Sequence, residues 1–334
     1  MTRKGDARIG FLLRTILPLS PTWLCSCASL PPLSPAVERM PAQLSQTGLY
    51  SSGQTQLTAA GVHPFTPSFP LWSDGASKRR WIYLPQGTQI DTHDMDSWQF
   101  PVGTKVWKEF SIADQRLETR LFQRVSSDDQ GWVAAAYTWD AQSSEARLDL
   151  EGKSDVLETA HDVPEARACM TCHGGRAHAV LGFSAIQLAH ASADPEEYTL
   201  DRLAQSGLLS HPPKSTTQIP GNPIERAALG YLHSNCGSCH NSARPAWATS
   251  YAPSASLDLW LRTDALSAVD VTPTYRTALS FVKPGNPESS SLYKRLANTS
   301  WFLPRMPPLA TEVVDDEGAQ VIATWIRQLS LTTH

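Results

Sequence analysis

Charge is scarce in this chain of 334 residues: Asp, Glu, Lys and Arg make up 18%, and the formal net charge is −4. No basic stripe is present, which excludes the electrostatic footprint of a nucleic-acid binder. Past the N-terminus no uncharged apolar run reaches the roughly 18 residues of a membrane-spanning helix. There is no Ser-His-Asp set, no phosphate-binding glycine loop and no metalloprotease motif, so hydrolase and nucleotide chemistry have no anchor. Methionine is rare, with five in all. Cysteine is rare too, with six. What remains is 41% apolar, the composition of a packed globular protein. The length allows one large domain or two.

The N-terminus reads as an export signal. Arg3, Lys4 and Arg8 precede an apolar stretch from Ile9 to Leu19, which Arg14 interrupts. Leu24-Cys25-Ser26-Cys27 follows and resembles the bacterial lipoprotein cleavage box, with Cys27 as the lipidated first residue. An ordinary signal peptide cut nearby is the other reading. The chain thus divides into a signal at 1–27 and a Pro- and Ser-rich tether at 28–48. Losing residues 1–27 removes four cations and one anion, which leaves a more acidic chain.

The four remaining cysteines form two copies of one motif, Cys169-Met170-Thr171-Cys172-His173 and Cys236-Gly237-Ser238-Cys239-His240. A structural zinc site or a thiol redox centre would use C-x-x-C pairs. Neither explains a His directly after both pairs. C-x-x-C-H is the attachment sequence of c-type haem. Each Cys adds to a haem vinyl group, and the adjacent His becomes an axial ligand of the iron. Export to an oxidising compartment fits this chemistry, since free thiols persist poorly there. The expectation is two covalently bound haem c groups. Cys169, Cys172, Cys236 and Cys239 would hold the porphyrins, and His173 and His240 the irons.

Asn222-Pro223 opens a predicted helix, with a capping residue followed by Pro at the first helical position. It runs into the second motif, and Ala228 and Leu232 on it would let another helix cross closely. Val321, Ile322, Trp325, Ile326 and Leu329 form one stripe on a last helix. Asp315, Asp316 and Glu317 stand at its start, where they complement the helix dipole. Met306, in Arg305-Met306-Pro307-Pro308, is the expected sixth ligand of the second iron, with prolines stiffening its loop. Its alternative is a Met filling a core gap. His233 is the rival ligand. Helix, C-x-x-C-H, long middle, Met-Pro-Pro and final helix resemble class I cytochrome c. Lys283-Pro284-Gly285-Asn286-Pro287 also resembles haem domains of exported bacterial cytochromes.

The stretch from 49 to 165 reads as β structure. Strands are expected at 81–84, 104–112, 116–125 and 132–139, with one more at 146–150. Leu117, Leu121 and Val125 share one face of the third, and Glu118, Arg120 and Arg124 the other. Six of the eleven tryptophans fall in this half and read mainly as core. A sheet followed by C-x-x-C-H is similar to the β-sheet cytochromes, which include cytochrome c′-beta and the hydroxylamine-oxidising cytochromes with a lysine cross-linked to haem. The residues that carry this likeness are Phe100-Pro101-Val102-Gly103-Thr104-Lys105-Val106-Trp107-Lys108-Glu109. That resemblance would single out Lys105 or Lys108.

As a whole the chain resembles a family of dihaem c-type cytochromes of Gram-negative bacteria. The carrying residues are Leu71-Trp72-Ser73-Asp74-Gly75-Ala76, Phe100 to Phe110, Cys169 to Gly174, Leu181-Gly182-Phe183, Tyr231 to His240 and Met306-Pro307-Pro308. The expected fold class is α+β. An N-terminal antiparallel β-sheet haem domain at 49–221 is followed by an all-α class I cytochrome c-like domain at 222–334. The resemblance implies electron transfer between a redox donor and acceptor, in the periplasm or on a lipid anchor at Cys27, with no nucleic acid and no transmembrane helix after the signal. A haem enzyme of the peroxidase or nitrogen-oxide and hydroxylamine type, or a gas-binding protein, is the alternative. It requires an open first haem, whose sixth ligand stays open between His161, His178 and none.

Overall fold

The computed structural model describes residues 33, 35–51, 55, 57–128, 131–176, 180–215, 217–243, 257–298, 302–308 and 310–329. The export signal, Cys27 and His178 lie outside the described residues. A six-stranded antiparallel sheet runs in simple sequence order: β1 (Val62–Pro64), β2 (Ser77–Tyr83), β3 (Lys105–Ile112), β4 (Gln115–Arg124), β5 (Trp132–Trp139) and β6 (Ala146–Asp149). β2 to β6 fall where the sequence placed strands, and β1 is an addition at the edge. The β3–β4 turn has Ala113 and Asp114 at φ of 46° and 64°. Two left-handed residues suit a tight hairpin, because that turn twists in the same sense as the strands.

Strand parity sorts the side chains into two buried faces. Trp81, Trp107, Leu121 and Ala135 are cross-strand partners on the odd-numbered face. They pack against Val37 of α1 (Pro35–Glu38), Leu44, Leu49 and Tyr50. The indoles of Trp107 and Trp139 reach the Thr47 and Thr119 hydroxyls, each at 3.0 Å, so their N–H groups are satisfied inside the core. The even-numbered face carries Ile82, Val106, Phe122 and Ala134. It is covered by Phe65, Trp98, Phe100, Phe183 and Leu188. Trp81, Trp98, Trp107, Trp132 and Trp139 are all buried, as expected of core tryptophans. The charged face of β4 is covered rather than solvated: Glu118 and Arg124 are buried, and it is Val125 that is exposed.

The helices after α1 are α2 (Cys169–His173), α3 (Leu200–Gln205), α4 (Pro223–Asn235), α5 (Pro273–Ala278), α6 (Ser291–Leu296) and α7 (Asp316–Leu329). α4 starts on a capping box: Asn222 accepts from the backbone of Ile224 and Glu225, and Glu225 accepts from Asn222 N–H. α4 and α7 pack through Ala228 and Leu232 against Ile322, Trp325 and Ile326, as the two apolar stripes require.

The expected all-α class I cytochrome c-like domain is not formed, and the α+β expectation is corrected on this point. Among the described residues there is no large all-helical domain, only α4, α7 and helices of six residues or fewer. Prolines at 273, 284, 287, 304, 307 and 308 punctuate the stretch between them and deny longer helices their backbone donors. The helices share one apolar cluster of their own, from Ala228 and Leu232 to Trp325 and Leu329, but another side of α4 is completed from elsewhere. Leu229 of α4 joins Phe69, Ile186, Ile219, Leu261 and Leu266 in a cluster that draws on both halves of the chain.

Gly230 marks that junction. A Cβ there would stand 2.2 Å from the Phe69 ring. Phe69 cannot easily retreat, since its N–H and carbonyl are both held by the Gln187 amide at 2.9 and 3.1 Å. Gly→Ala inside a helix gains about 1 kcal/mol of propensity, whereas overpacking costs about 1–3 kcal/mol. Gly230→Ala is therefore expected to lower the urea unfolding midpoint, and a raised midpoint would show that Phe69 yields.

Candidate functional site

Both C-x-x-C-H motifs are single helical turns. The first is α2 itself, closed by Gly174 N–H donating to the Met170 carbonyl at 2.8 Å. The second continues the end of α4: Cys236 caps the helix, and Cys239 and His240 N–H both donate to the Cys236 carbonyl at 3.1 and 2.9 Å. One helical turn puts the two thiols of each pair on the same side of the backbone. Among the described residues none of the four cysteines is in a disulfide. Nor do any three or more Cys, His, Asp or Glu gather with metal-ligand spacing.

Burial pushes the Cys169 thiol up, the Cys172 thiol to about 11 and the Cys236 thiol to about 12. Arg120 opposes the rise at Cys169 and Cys172, while Cys239 adds to the rise at Cys172 and Cys236. These are protonated thiols in apolar surroundings, the opposite of the lowered values that activate a thiol redox pair.

The fold brings the two motifs into backbone contact. Gly175 lies so close to Ser238 that a Cβ would stand 1.8 Å from the Ser238 carbonyl oxygen. Asn241, directly after the second motif, ties the pair together. Its amide nitrogen donates to the carbonyls of Gly175, Gly237 and Ser238 at 3.0 to 3.1 Å. Sequence reasoning missed Asn241; its only signal was a side-chain amide next to C-x-x-C-H. His173 lies on Phe122 of β4, with ring centroids 4.4 Å apart. The first motif therefore sits on the even-numbered face of the sheet. Lys108 shares that face, whereas Lys105 points to the other and donates to the Thr47 carbonyl at 2.7 Å.

The segments after the motifs interlock. The Arg176 guanidinium lies over the Trp260 ring at 4.6 Å and donates to the Asp96 carbonyl at 3.2 Å. The Asp96 carboxylate accepts from Thr263 N–H and hydroxyl at 2.9 to 3.1 Å. Met95, beside it, packs against the same apolar core as Cys169 and Met170. His233 is buried, its ring tilted against Trp260 with centroids 4.4 Å apart. Its Nδ1 accepts from Leu261 N–H at 3.1 Å, which leaves the ring proton on Nε2.

Met306 is half-buried between α6 and α7, and its N–H donates to the Arg295 carbonyl at 3.2 Å. The loop behind it is clamped from the N-terminal half. Asp74, buried at a φ of 46°, accepts from Val313 N–H at 2.8 Å, and the Trp72 indole donates to the Val313 carbonyl at 3.1 Å. Trp72 N–H in turn donates to Asn235 Oδ1 at 2.8 Å, at the last residue of α4. His161 is buried, with Nε2 at 2.8 Å from Glu118 Oε1 and its ring against Phe110. His190 binds the Thr66 carbonyl, and His63 stacks on Tyr198.

Compared with family models, characterised proteins and solved structures, the chain gives no match.

Burial, and secondarily Arg176, lowers the His233 pKa to about 3. Unfolded, His233 titrates near 6.5. Between those values the unfolded chain binds the extra proton, so stability falls as pH drops below about 6.5 and levels off above it. At pH 5 the loss is about 2 kcal/mol. His233→Asn keeps an acceptor for Leu261 N–H and removes the titration. The drop in urea midpoint from pH 7 to pH 5 should be smaller in this variant, and an equal drop would assign it to other groups.

Proposed function

We propose that this protein is an exported dihaem c-type cytochrome that carries electrons between redox partner proteins. The observation that carries the reading is that two C-x-x-C-H turns, far apart in sequence, pack backbone to backbone at Gly175, Ser238 and Asn241. Cys169 and Cys172 would hold one haem and Cys236 and Cys239 the other, with His173 and His240 as iron ligands. The residues fit the group: two thiols outside any disulfide, one turn apart, precede each His, and Phe122 supplies an aromatic wall at His173. Bound haem supplies a one-electron Fe(III)/Fe(II) couple. The chain's own part is to fix the two attachment turns side by side, to bury their thiols and to clamp the Met306 loop through Asp74 and Trp72. Met306 would be the sixth ligand at the second iron.

The N-terminal pattern supports a protein facing the periplasm, free or on a lipid at Cys27. No described helix is long and apolar enough to cross a membrane. The acidic chain would meet basic patches on its partners. A second reading, gas binding or haem catalysis at an open first iron, is favoured by one observation. His161, a candidate sixth ligand there, already spends Nε2 on Glu118.

Two measurements test this. The pyridine haemochrome of the exported protein should give two covalent haems per chain. It should fall to one in the Cys169→Ala/Cys172→Ala variant and likewise in Cys236→Ala/Cys239→Ala. A wild-type chain without covalent haem would remove the proposal. Carbon monoxide added to the reduced holoprotein should leave the spectrum unchanged if both irons are six-coordinate with strong ligands. A shift in half the haem would move the second reading ahead.

A further inference from the structure

The even-numbered face of the sheet carries a row of cations. Arg80 on β2, Lys108 on β3 and Arg120 on β4 are direct cross-strand partners, and Lys78 lies one repeat further along β2. Like charges directly opposite one another destabilise a sheet. Here Arg80 is also buried and the other three are half-buried, which makes the row more costly still. Arg80 is 7% exposed, and burial pulls its pKa down to about 10. Lys78 falls to about 8, by burial and then by Arg80 and Arg120. Lys108 falls well below the usual lysine range, by burial and then by its three cationic neighbours.

The anions around the row do not balance it. Glu118 is the carboxylate on this face, and its Oε1 already serves both Arg120 and His161. Asp74 and Asp315 influence Lys78 from the segments packed above. Among the described residues Arg80 and Lys108 lie within ion-pair distance of no carboxylate. Both line a cavity that is also lined by His233, Ser238 and Trp260, at the second motif. The first motif adjoins the same row, because His173 lies on Phe122, two residues along β4 from Arg120. The row thus lies between the two attachment turns.

We infer that Arg80 and Lys108 form a carboxylate-binding site that takes the propionate groups of the attached haem. This rests on the haem reading above. A propionate is the anion that two covalent haems would bring to a cavity shared by their attachment turns. Arg80 offers a planar guanidinium for a paired contact and Lys108 a point charge. Arg120 stays with Glu118 and sets the register of the row.

The test uses the holoprotein, with Arg80→Gln, Lys108→Gln and, as a control for charge alone, Arg147→Gln on the exposed edge of β6. All are first checked for two haems per chain by haemochrome. Removing a cation from a propionate leaves negative charge near the iron, which disfavours the added electron. At least one haem in Arg80→Gln or Lys108→Gln should then lower its midpoint potential by about a tenfold change in the one-electron equilibrium, about 59 mV. Arg80→Lys should recover part of the shift, and Arg147→Gln should show none. Where Arg80→Gln fails to accumulate, Lys108→Gln decides. Potentials that stay at the wild-type values with both haems attached overturn the inference while leaving the dihaem reading intact. So does a diffusible oxyanion site, seen as a spectral change on adding phosphate or nitrite to wild type that is lost in both variants, with the anion-free potentials unmoved. A wild-type chain without covalent haem is a different failure, that of the underlying proposal.

Discussion

The contact between Gly175 and Ser238 is the constraint on which the rest of the arrangement depends. Two helical turns more than 60 residues apart in sequence meet there without a side chain between them. Asn241 donates to three carbonyls at that crossing. Backbone contact of this kind fixes position more tightly than apolar packing does, because hydrogen bonds are directional and packed side chains can re-sort. The described segments that follow the two motifs interlock beside it. Arg176 reaches Asp96 and Trp260, and Asp96 reaches Thr263.

The sheet serves as the floor for this crossing. Its odd-numbered face is an ordinary core, filled by tryptophans whose indole N–H groups find threonine hydroxyls. Its even-numbered face is divided. One end is apolar and carries Phe122 under His173. The other end is cationic and sits beside the cavity that reaches His233 and Ser238. A covered sheet face would normally be apolar across its width, since burying charge without partners is costly. Lys108 lies over the Phe110 ring at 4.8 Å, but among the described residues neither it nor Arg80 has a carboxylate within ion-pair distance, and the anion inferred above would supply one.

The segment from Phe65 to Ala76 works as a strap. Phe69 fills the space left by Gly230 on α4, Trp72 caps Asn235 at the helix end, and Asp74 holds the loop that follows Met306. This strap explains why the helices after Gly221 do not stand as a separate bundle. Their inner side is completed by residues from the N-terminal half, and their own sequence is cut short by prolines.

The sequence by itself determined the local features. C-x-x-C-H is read within five residues, strand alternation within ten, and the capping box and apolar stripes of α4 and α7 within a few turns. Each of these depends on near neighbours along the chain. The expected all-α domain failed because prolines keep the helices between α4 and α7 to six residues or fewer, and one side of α4 packs against the N-terminal half. Only the tertiary structure decided that the two motifs touch, that Arg80, Lys108 and Arg120 fall in one row, that Lys108 and not Lys105 shares the motif's face, and that His161 is committed to Glu118. Strand register and long-range packing set those relations, and a single residue of slip in register would have turned every side chain of a strand to the opposite face.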